Sequence, residues 1–468
     1  MGRIAKWLGG LIGVALIVGA GWLAIAPPAV IRVATNYAAK IVCSSVFVSG
    51  RGADDVIETD MQAPGILIFK LISVDVDRDA TPPRVKARLF GLFGNGQAIW
   101  RGERLGCSIV PDGAPVPKVE DAIPAVPAVD ADALWPEGER VEPSQDAAIA
   151  EILDNDQLTG PGMRGVVVVH NGRIIGERYG TGFDADVPLL GWSMTKSVTA
   201  AIIGTVVGSG KLSLDQAGLF EGWKQDERAK VTLASMMGMA SGLAWNEGYG
   251  AVSDVTRMLY LEGDMAAFAA SKPYDPVHGN PDGDRLFNYS SGTTVMLSDV
   301  WMRAVSQPIS YPWEALFKPV GMASATFETD SSGTFVGSSY LYATPRDWAR
   351  FGQFLLQGGT WKGEALLPPD YVTWMTSPEE ASKTAWGGYE YGHQVWLVGP
   401  EGGTPKDENP DAGFDLPEDA FWMLGHDGQS VAVVPSRNLV VVRMGLTPSS
   451  LGYKPQALVA ALAKAVMQ

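Results

Sequence analysis

The sequence is compatible with an α+β fold in its C-terminal two thirds, and three observations favour it. First, Asn171-Gly172 separates two apolar runs, which is the strongest short-range signal of a β-hairpin. Second, a similar pair of runs lies near the C-terminus, around a turn at 436–438. The four β-like runs are 164–170, 173–179, 431–435 and 439–444. Third, helical patterns precede and follow these runs, at 144–153 and 456–467.

The composition is that of a globular protein, with 46% apolar and 19% charged residues. A length of 468 residues allows two or three domains. The net charge of −16 disfavours a nucleic-acid partner, because phosphate binding requires basic surface. We interpret the acidity as a solvated surface that keeps the protein soluble.

Residues 1–33 are predicted to form an N-terminal transmembrane anchor or a signal segment. Arg3 and Lys6 precede a stretch without charge, 7–31, and roughly 20 apolar residues suffice to cross a bilayer as a helix. A signal peptide would be cleaved near Ala26, but proline follows at once, which favours the anchor. The bulk of the chain would then lie in the periplasm of a bacterial-type inner membrane, or be exported if the segment is cleaved.

A small β-rich domain is predicted for 34–110, after a short helix at 36–43, because runs such as 65–71 and 84–90 resemble strands. Cys43 and Cys107 each border a β-like run. In an oxidising compartment they would form one disulfide, and the alternative is two buried free thiols. Residues 111–133 are rich in Pro, Ala, Val and Asp, which predicts a semi-extended linker to a third domain at 134–468.

The most informative stretch is 190–201, where Ser193 is followed by Lys196 in a turn that leads into an apolar helix. Residues three apart on a helix share one face, with Cβ atoms about 5–6 Å apart. A desolvated lysine there can lose its proton near neutral pH and activate the serine hydroxyl as a nucleophile. By itself the pair also fits a helix N-terminus with a solvated lysine.

Two further patterns lie downstream. Tyr289 and Ser291 fall within 287–292, ahead of an apolar run, and His426, Gly428 and Gln429 fall within 424–430, ahead of a predicted strand. Each has a structural alternative: Tyr289 as a core tyrosine, Ser291 as a helix cap and Asp427-Gly428 as a tight turn.

With Ser193 and Lys196, these patterns resemble the three motifs of the serine β-lactamase and penicillin-binding-protein family. The closer likeness is to the class C, esterase and 6-aminohexanoate-dimer-hydrolase branch. The resemblance covers roughly Leu134 to the end. It implies a β-lactamase/transpeptidase-like fold, with an antiparallel sheet framed by terminal helices and a helical insertion between them.

The resemblance also implies roles for the site residues. Ser193 would form an acyl-enzyme, and Lys196 or Tyr289 would be the base. The backbone N–H groups of Ser193 and Gln429 would bind the oxyanion, and Gly428 would let the substrate approach its strand.

Two departures from the family pattern bear on the substrate. His426 stands where β-lactamases carry lysine, and histidine provides less positive charge at pH 7. Ser291 stands where asparagine is commoner, and its shorter side chain offers fewer hydrogen bonds to a substrate amide. We therefore expect small esters, linear amides or oligomeric amides rather than β-lactams or peptidoglycan stems.

The alternatives are a D,D-peptidase or β-lactamase, and a non-catalytic sensor that binds an acyl donor. The sequence contains four histidines and neither a zinc-peptidase motif nor a phosphate-binding glycine loop. We therefore predict no metal and no cofactor. The sequence leaves the oligomeric state open.

Overall fold

The computed structural model describes residues 2–114, 123, 130–250, 252–275, 287–385, 390–405 and 408–467. The helices are α1 Gly2–Ile25, α2 Ala29–Phe47, α3 Ala53–Glu58, α4 Ala147–Asp154, α5 Asp156–Thr159, α6 Thr195–Gly208, α7 Leu233–Met237, α8 Asp254–Leu261, α9 Met265–Ala270, α10 Ser291–Ala304, α11 Lys318–Val320, α12 Pro345–Leu356, α13 Tyr371–Met375, α14 Ser382–Ala385 and α15 Gln456–Ala465. The strands are β1 Ile72–Asp77, β2 Arg84–Leu89, β3 Phe93–Trp100, β4 Cys107–Ile109, β5 Asp130–Leu134, β6 Gly138–Arg140, β7 Met163–His170, β8 Arg173–Tyr179, β9 Leu189–Leu190, β10 Thr326–Phe327, β11 Leu341–Ala343, β12 Thr360–Trp361, β13 Glu364–Ala365, β14 Phe421–Gly425, β15 Gln429–Val434 and β16 Leu439–Gly445.

A five-stranded antiparallel sheet in the order β14-β15-β16-β7-β8 lies at the centre of residues 134–468. We call this part of the chain the catalytic region, because it contains Ser193 and Lys196. Both faces of the sheet are buried, so its central strands are nearly continuous valine runs. Alternate residues face opposite sides. Val166, Val168 and Val441 share a core with α4 and α15, whereas Val167 and Val440 share the main core with α6 and α12.

The α+β prediction for this region is confirmed. The Asn171-Gly172 hairpin joins β7 to β8, with both turn residues in the left-handed region (φ 50° and 77°), as such a tight turn requires. The predicted terminal helices are α4 and α15, and the predicted C-terminal strands are β15 and β16.

The N-terminal segment folds as a four-stranded antiparallel sheet in the order β1-β2-β3-β4, with α2 lying across it. Gly96 permits the close approach, because a Cβ there would lie 2.2 Å from the Thr35 carbonyl oxygen. The buried residues of the N-terminal segment belong to the same apolar core as those of the catalytic region. The domain boundaries stay a prediction, and most of the predicted linker lies outside the described residues.

Two strand predictions in this segment are wrong. The run after Cys43 continues helix α2, and 67–71 forms a 3-10 helix. Both runs are rich in β-branched or aromatic residues, but that preference is weak. Packing in the core outweighs it for the run after Cys43, whereas in 67–71 only Phe69 is buried. The prediction of β2 at 84–89 is confirmed, and a disulfide joins Cys43 on α2 to Cys107 on β4.

The single membrane helix predicted for 1–33 is not confirmed. Within the described residues, no one helix is long and apolar enough to cross a membrane. Among the helices that the structure describes, only 17–25 taken together with α2, bent by 58° at the break between them, reaches the required length and composition.

Candidate active site

The nucleophile candidate, Ser193, lies in a tight turn at the start of α6 and is partly exposed. Trp192 before it has φ 47°, in the left-handed region. Such a conformation in a bulky residue is strained, and strained residues cluster at functional sites. Gly191 lies against the Trp348 ring, and a Cβ would come within 2.2 Å of it. Packing therefore fixes the backbone that presents the Ser193 hydroxyl.

Lys196, one turn further along, is 1% exposed. Its Nζ lies 3.0 Å from the Ser193 Oγ, 3.1 Å from the Ser291 Oγ and 3.0 Å from the Ser338 carbonyl oxygen. Among the described residues, no carboxylate is within ion-pair distance of this amine. Burial lowers the pKa of Lys196 to about 8, against an opposing effect of the Glu247 charge. Lys196 thus has a substantial neutral fraction near physiological pH.

Ser291, the first residue of α10, connects Lys196 to Glu247. The Ser291 hydroxyl donates to Glu247 Oε1 and accepts from the lysine, and its backbone N–H donates to Glu247 Oε2 at 2.9 Å. The capping role belongs to Ser290, whose side chain accepts from Thr293 N–H, so the alternative of Ser291 as the cap is wrong. The Glu247 carboxylate also satisfies the positive end of α10.

Tyr289 packs on the same cluster from the segment before α10. Lys196 Nζ lies 4.8 Å from the centroid of its ring. Burial raises the pKa of Tyr289, while hydrogen bonds to Ser193 and Trp396 partly oppose that rise. The phenol therefore stays protonated at neutral pH and is placed to exchange a proton with the Ser193 oxygen.

Ser193, Glu247 and Tyr289 line a cavity of about 430 Å³, and Lys196 and Ser291 lie behind this lining. The cavity walls come from five segments, and the lining residues are Ser193, Glu247, Tyr249, Tyr289, Trp396, Gly399, Pro400, Glu401, Leu424, Gly425 and His426. The volume suits a small-molecule substrate. Among these lining residues two carry carboxylates, and none is a lysine or arginine.

The structure does not bring Gly428 and Gln429 to this cavity. Residues 426–428 form the turn between β14 and β15, with Asp427 and Gly428 at φ 56° and 83°. The Gln429 side-chain oxygen accepts from the Gly445 N–H at 2.9 Å. The tight-turn alternative therefore describes Asp427-Gly428, because both residues adopt the left-handed conformation within the three-residue loop between the paired Gly425 and Gln429.

The strand edge beside Ser193 is instead the end of β14. Gly425 approaches the nucleophile turn so closely that a Cβ would lie 2.3 Å from the Gly191 carbonyl oxygen. His426, which follows, lines the cavity with its side chain 41% exposed. Its ring stacks on Tyr249 at 5.0 Å and meets Trp192 edge-on at 5.6 Å.

Sequence reasoning missed Glu247. A glutamate between Trp245 and Tyr249 reads as a solvated loop charge, yet it accepts from the Trp245 Nε1 at 2.6 Å as well as from Ser291. Two neighbouring aromatic residues were the available signal of a pocket. Within the described residues, no group of three or more His, Cys, Asp or Glu side chains is arranged to hold a metal ion.

Comparison with known proteins gives a consistent result. The Beta-lactamase family model matches residues 146–462. A 6-aminohexanoate-dimer hydrolase of Paenarthrobacter ureafaciens is 22% identical over 373 residues, covering 75% of this chain and 85% of the relative.

Two solved structures share the fold. One is a putative 6-aminohexanoate-dimer hydrolase from Bacillus anthracis (TM-score 0.53, 22% identity, 75% of this chain and 88% of that one). The other is a penicillin-binding protein homologue from Caulobacter crescentus (TM-score 0.52, 16% identity, 69% and 98%). The predicted β-lactamase/transpeptidase-like fold is confirmed.

Proposed function

The chain belongs to the beta-lactamase family, and from this premise we propose that it is a serine hydrolase that cleaves ester or amide bonds of small substrates through an acyl-enzyme on Ser193. The observation that carries the proposal is the contact of 3.0 Å between the Ser193 Oγ and the buried Lys196 Nζ. A serine hydroxyl is a poor nucleophile unless a base in contact removes its proton.

The proton balance favours Lys196 over Tyr289 as the base. With a pKa of about 8, about a tenth of Lys196 is neutral at pH 7. Tyr289 has a raised pKa and holds its proton. Neutral Lys196 therefore takes the Ser193 proton as the hydroxyl attacks the carbonyl carbon. The Tyr289 phenol donates its proton to the leaving oxygen or nitrogen and is reprotonated from Lys196.

The oxyanion would be held between the Ser193 N–H and the edge of β14. This replaces Gln429 with the backbone around Gly425 and His426, the part of the hairpin that lines the cavity. Donors of this kind contribute roughly 3–4 kcal/mol each to lowering the barrier. Water then attacks the acyl-enzyme carbonyl and releases the acid and free Ser193.

The charges of the residues that line the cavity bear on the substrate class. Glu247 and Glu401 face the cavity, while Lys196 is behind Ser193 and already bonded. A substrate carboxylate would meet like charge there, whereas an uncharged ester, a linear amide or an amino group would not. In β-lactams and peptidoglycan stems the carboxylate is next to the scissile amide, whereas in the 6-aminohexanoate dimer it is several methylenes away. The lining therefore favours an esterase or a 6-aminohexanoate-dimer-type amidase over a β-lactamase or D,D-peptidase.

The experiment is labelling of the full chain with a fluorescent fluorophosphonate, which reacts with activated serines. We expect labelling of the parent and no labelling of Ser193→Ala. The matched control is Ser209→Ala, just beyond the far end of α6, where the hydroxyl donates to the Val206 carbonyl oxygen. It should be labelled like the parent.

Equal labelling of the parent and Ser193→Ala, or none in either, would favour the non-catalytic sensor. Hydrolysis of a p-nitrophenyl ester, the 6-aminohexanoate dimer and a chromogenic cephalosporin then separates the enzyme classes. We expect turnover of the first or second and none of the third.

A further inference from the structure

A second cavity, of about 140 Å³, lies beside the catalytic one. Its outer wall comes from the N-terminal segment, with Val30, Val33 and Ala34 on α2 and Ile66 and Ile68 in the stretch before β1. Val30 and Ile66 are 51% and 43% exposed, so the cavity reaches solvent between them. None of these residues lies in the range that the family model matches.

The two cavities share a wall. Tyr249 and His426 line both, and their stacked rings stand between them. Trp192, directly before the nucleophile, lines the apolar cavity. Ser193 and Tyr289 line only the catalytic cavity. The apolar cavity therefore borders the turn that carries Ser193 without including its hydroxyl, and a chain whose carbonyl is at Ser193 would enter it past the Tyr249–His426 pair.

The position of the N-terminal segment is fixed by several contacts. The Tyr37 ring packs against Phe69 at 5.1 Å and against Tyr260 of the catalytic region at 5.5 Å. Arg164 on β7 donates twice to the Asp60 carboxylate at 2.7 Å. A wall held in this way is preformed, which reduces the entropy lost when a flexible chain binds.

We propose that this apolar cavity binds the unbranched acyl chain of the substrate, so that the enzyme prefers medium-chain acyl esters or amides. The proposal rests on the proposed function, because the chain is held while its carbonyl is at Ser193. A cavity of about 150 Å³ lined by apolar side chains accommodates benzene. A volume of about 140 Å³ therefore suits an acyl chain of roughly six carbons.

The test measures kcat/KM for p-nitrophenyl acetate, butyrate, hexanoate, octanoate and decanoate with the full chain, each below its critical micelle concentration. Burial of each methylene should raise kcat/KM about three- to fourfold until the cavity is full. We expect a rise to hexanoate or octanoate and none beyond.

Two neighbouring residues provide matched variants. Ile66→Glu places a charge at the cavity mouth and should lower the hexanoate-to-acetate ratio at least tenfold, with acetate turnover kept. Leu67→Glu makes the same change one residue away, at a side chain that is 74% exposed and does not line the cavity, and should leave the ratio unchanged. Val33→Trp fills the cavity and should reduce the ratio without adding a charge.

A parent kcat/KM that is flat or falls with chain length would overturn the proposal, as would equal effects of Ile66→Glu and Leu67→Glu. If Ser193 is labelled by the fluorophosphonate in either case, the hydrolase assignment stands while the acyl-chain site fails. Absence of labelling overturns both.

Discussion

Two lysines in this molecule are equally buried, at 1% exposure each, and differ in what they contact. Lys40 on α2 forms an ion pair with Glu328, donates to the Ser44 Oγ at 2.8 Å and lies over the Tyr340 ring at 4.2 Å. Lys196 on α6 contacts two hydroxyls and a carbonyl. One bonds directly to a carboxylate, and the other reaches Glu247 only through Ser291.

The difference shows how neighbours decide what a buried amine does. Burial lowers the pKa of both lysines, and a carboxylate opposes the shift in both. For Lys40 the opposing charge is in contact and the ammonium is part of a pair. Removal of the Lys40 ammonium would leave the Glu328 carboxylate buried without its counter-charge. For Lys196 the charge is one hydroxyl away, which leaves an amine that can accept a proton.

The largest effect should come from Lys196→Met. Loss of the base should lower kcat/KM for ester hydrolysis roughly 10³- to 10⁴-fold, while the free energy of unfolding stays the same or rises, because no ion pair is broken. Steady-state kinetics and urea unfolding of the same preparation measure both. If Lys196→Met lowered the free energy of unfolding as much as Lys40→Met does, the proposed difference between the two lysines would be wrong.

Lys40→Met should act on stability instead. It leaves the Glu328 carboxylate buried and unpaired, which costs about 3–5 kcal/mol, while kcat/KM of the folded enzyme stays near the parent value. Urea unfolding checks the first part. The double variant Lys40→Met, Glu328→Gln removes the orphaned charge and should recover part of the stability, and failure to do so would locate the defect elsewhere.

The smallest predicted effect is a shift in the pH dependence of kcat/KM, and it tests the role of Glu247. Because Lys196 must be neutral to act as the base, kcat/KM should rise with pH through a midpoint near 8. The Glu247 charge raises the pKa of Lys196, so Glu247→Gln should move the midpoint to lower pH. Glu401→Gln, which removes another carboxylate of the same cavity, should leave it in place. A pH–rate profile that is unchanged in Glu247→Gln would show that the Glu247 charge does not affect the pKa of the base.

Apart from the Cys43–Cys107 disulfide, which joins residues 64 apart, the accurate predictions concern residues close together in the chain. Ser193 and Lys196 meet because three residues make nearly one helical turn. Asn171-Gly172 turns because both residues adopt positive φ readily. Other predictions required knowledge of neighbours from distant segments. The run after Cys43 is helical because it packs in the core, and Gly428 is a turn residue because β14 ends at Gly425 rather than continuing past it.

The sequence by itself determined the order of the three motifs, the spacing that joins hydroxyl to amine, and the α+β alternation of the catalytic region. Only the tertiary structure decided that Glu247 reaches Lys196 through Ser291, that the end of β14 lines the site, and that the N-terminal segment encloses an apolar cavity beside it. The physical reason is that local geometry depends on backbone periodicity. Burial, pKa and cavity shape depend on which distant side chains exclude water together.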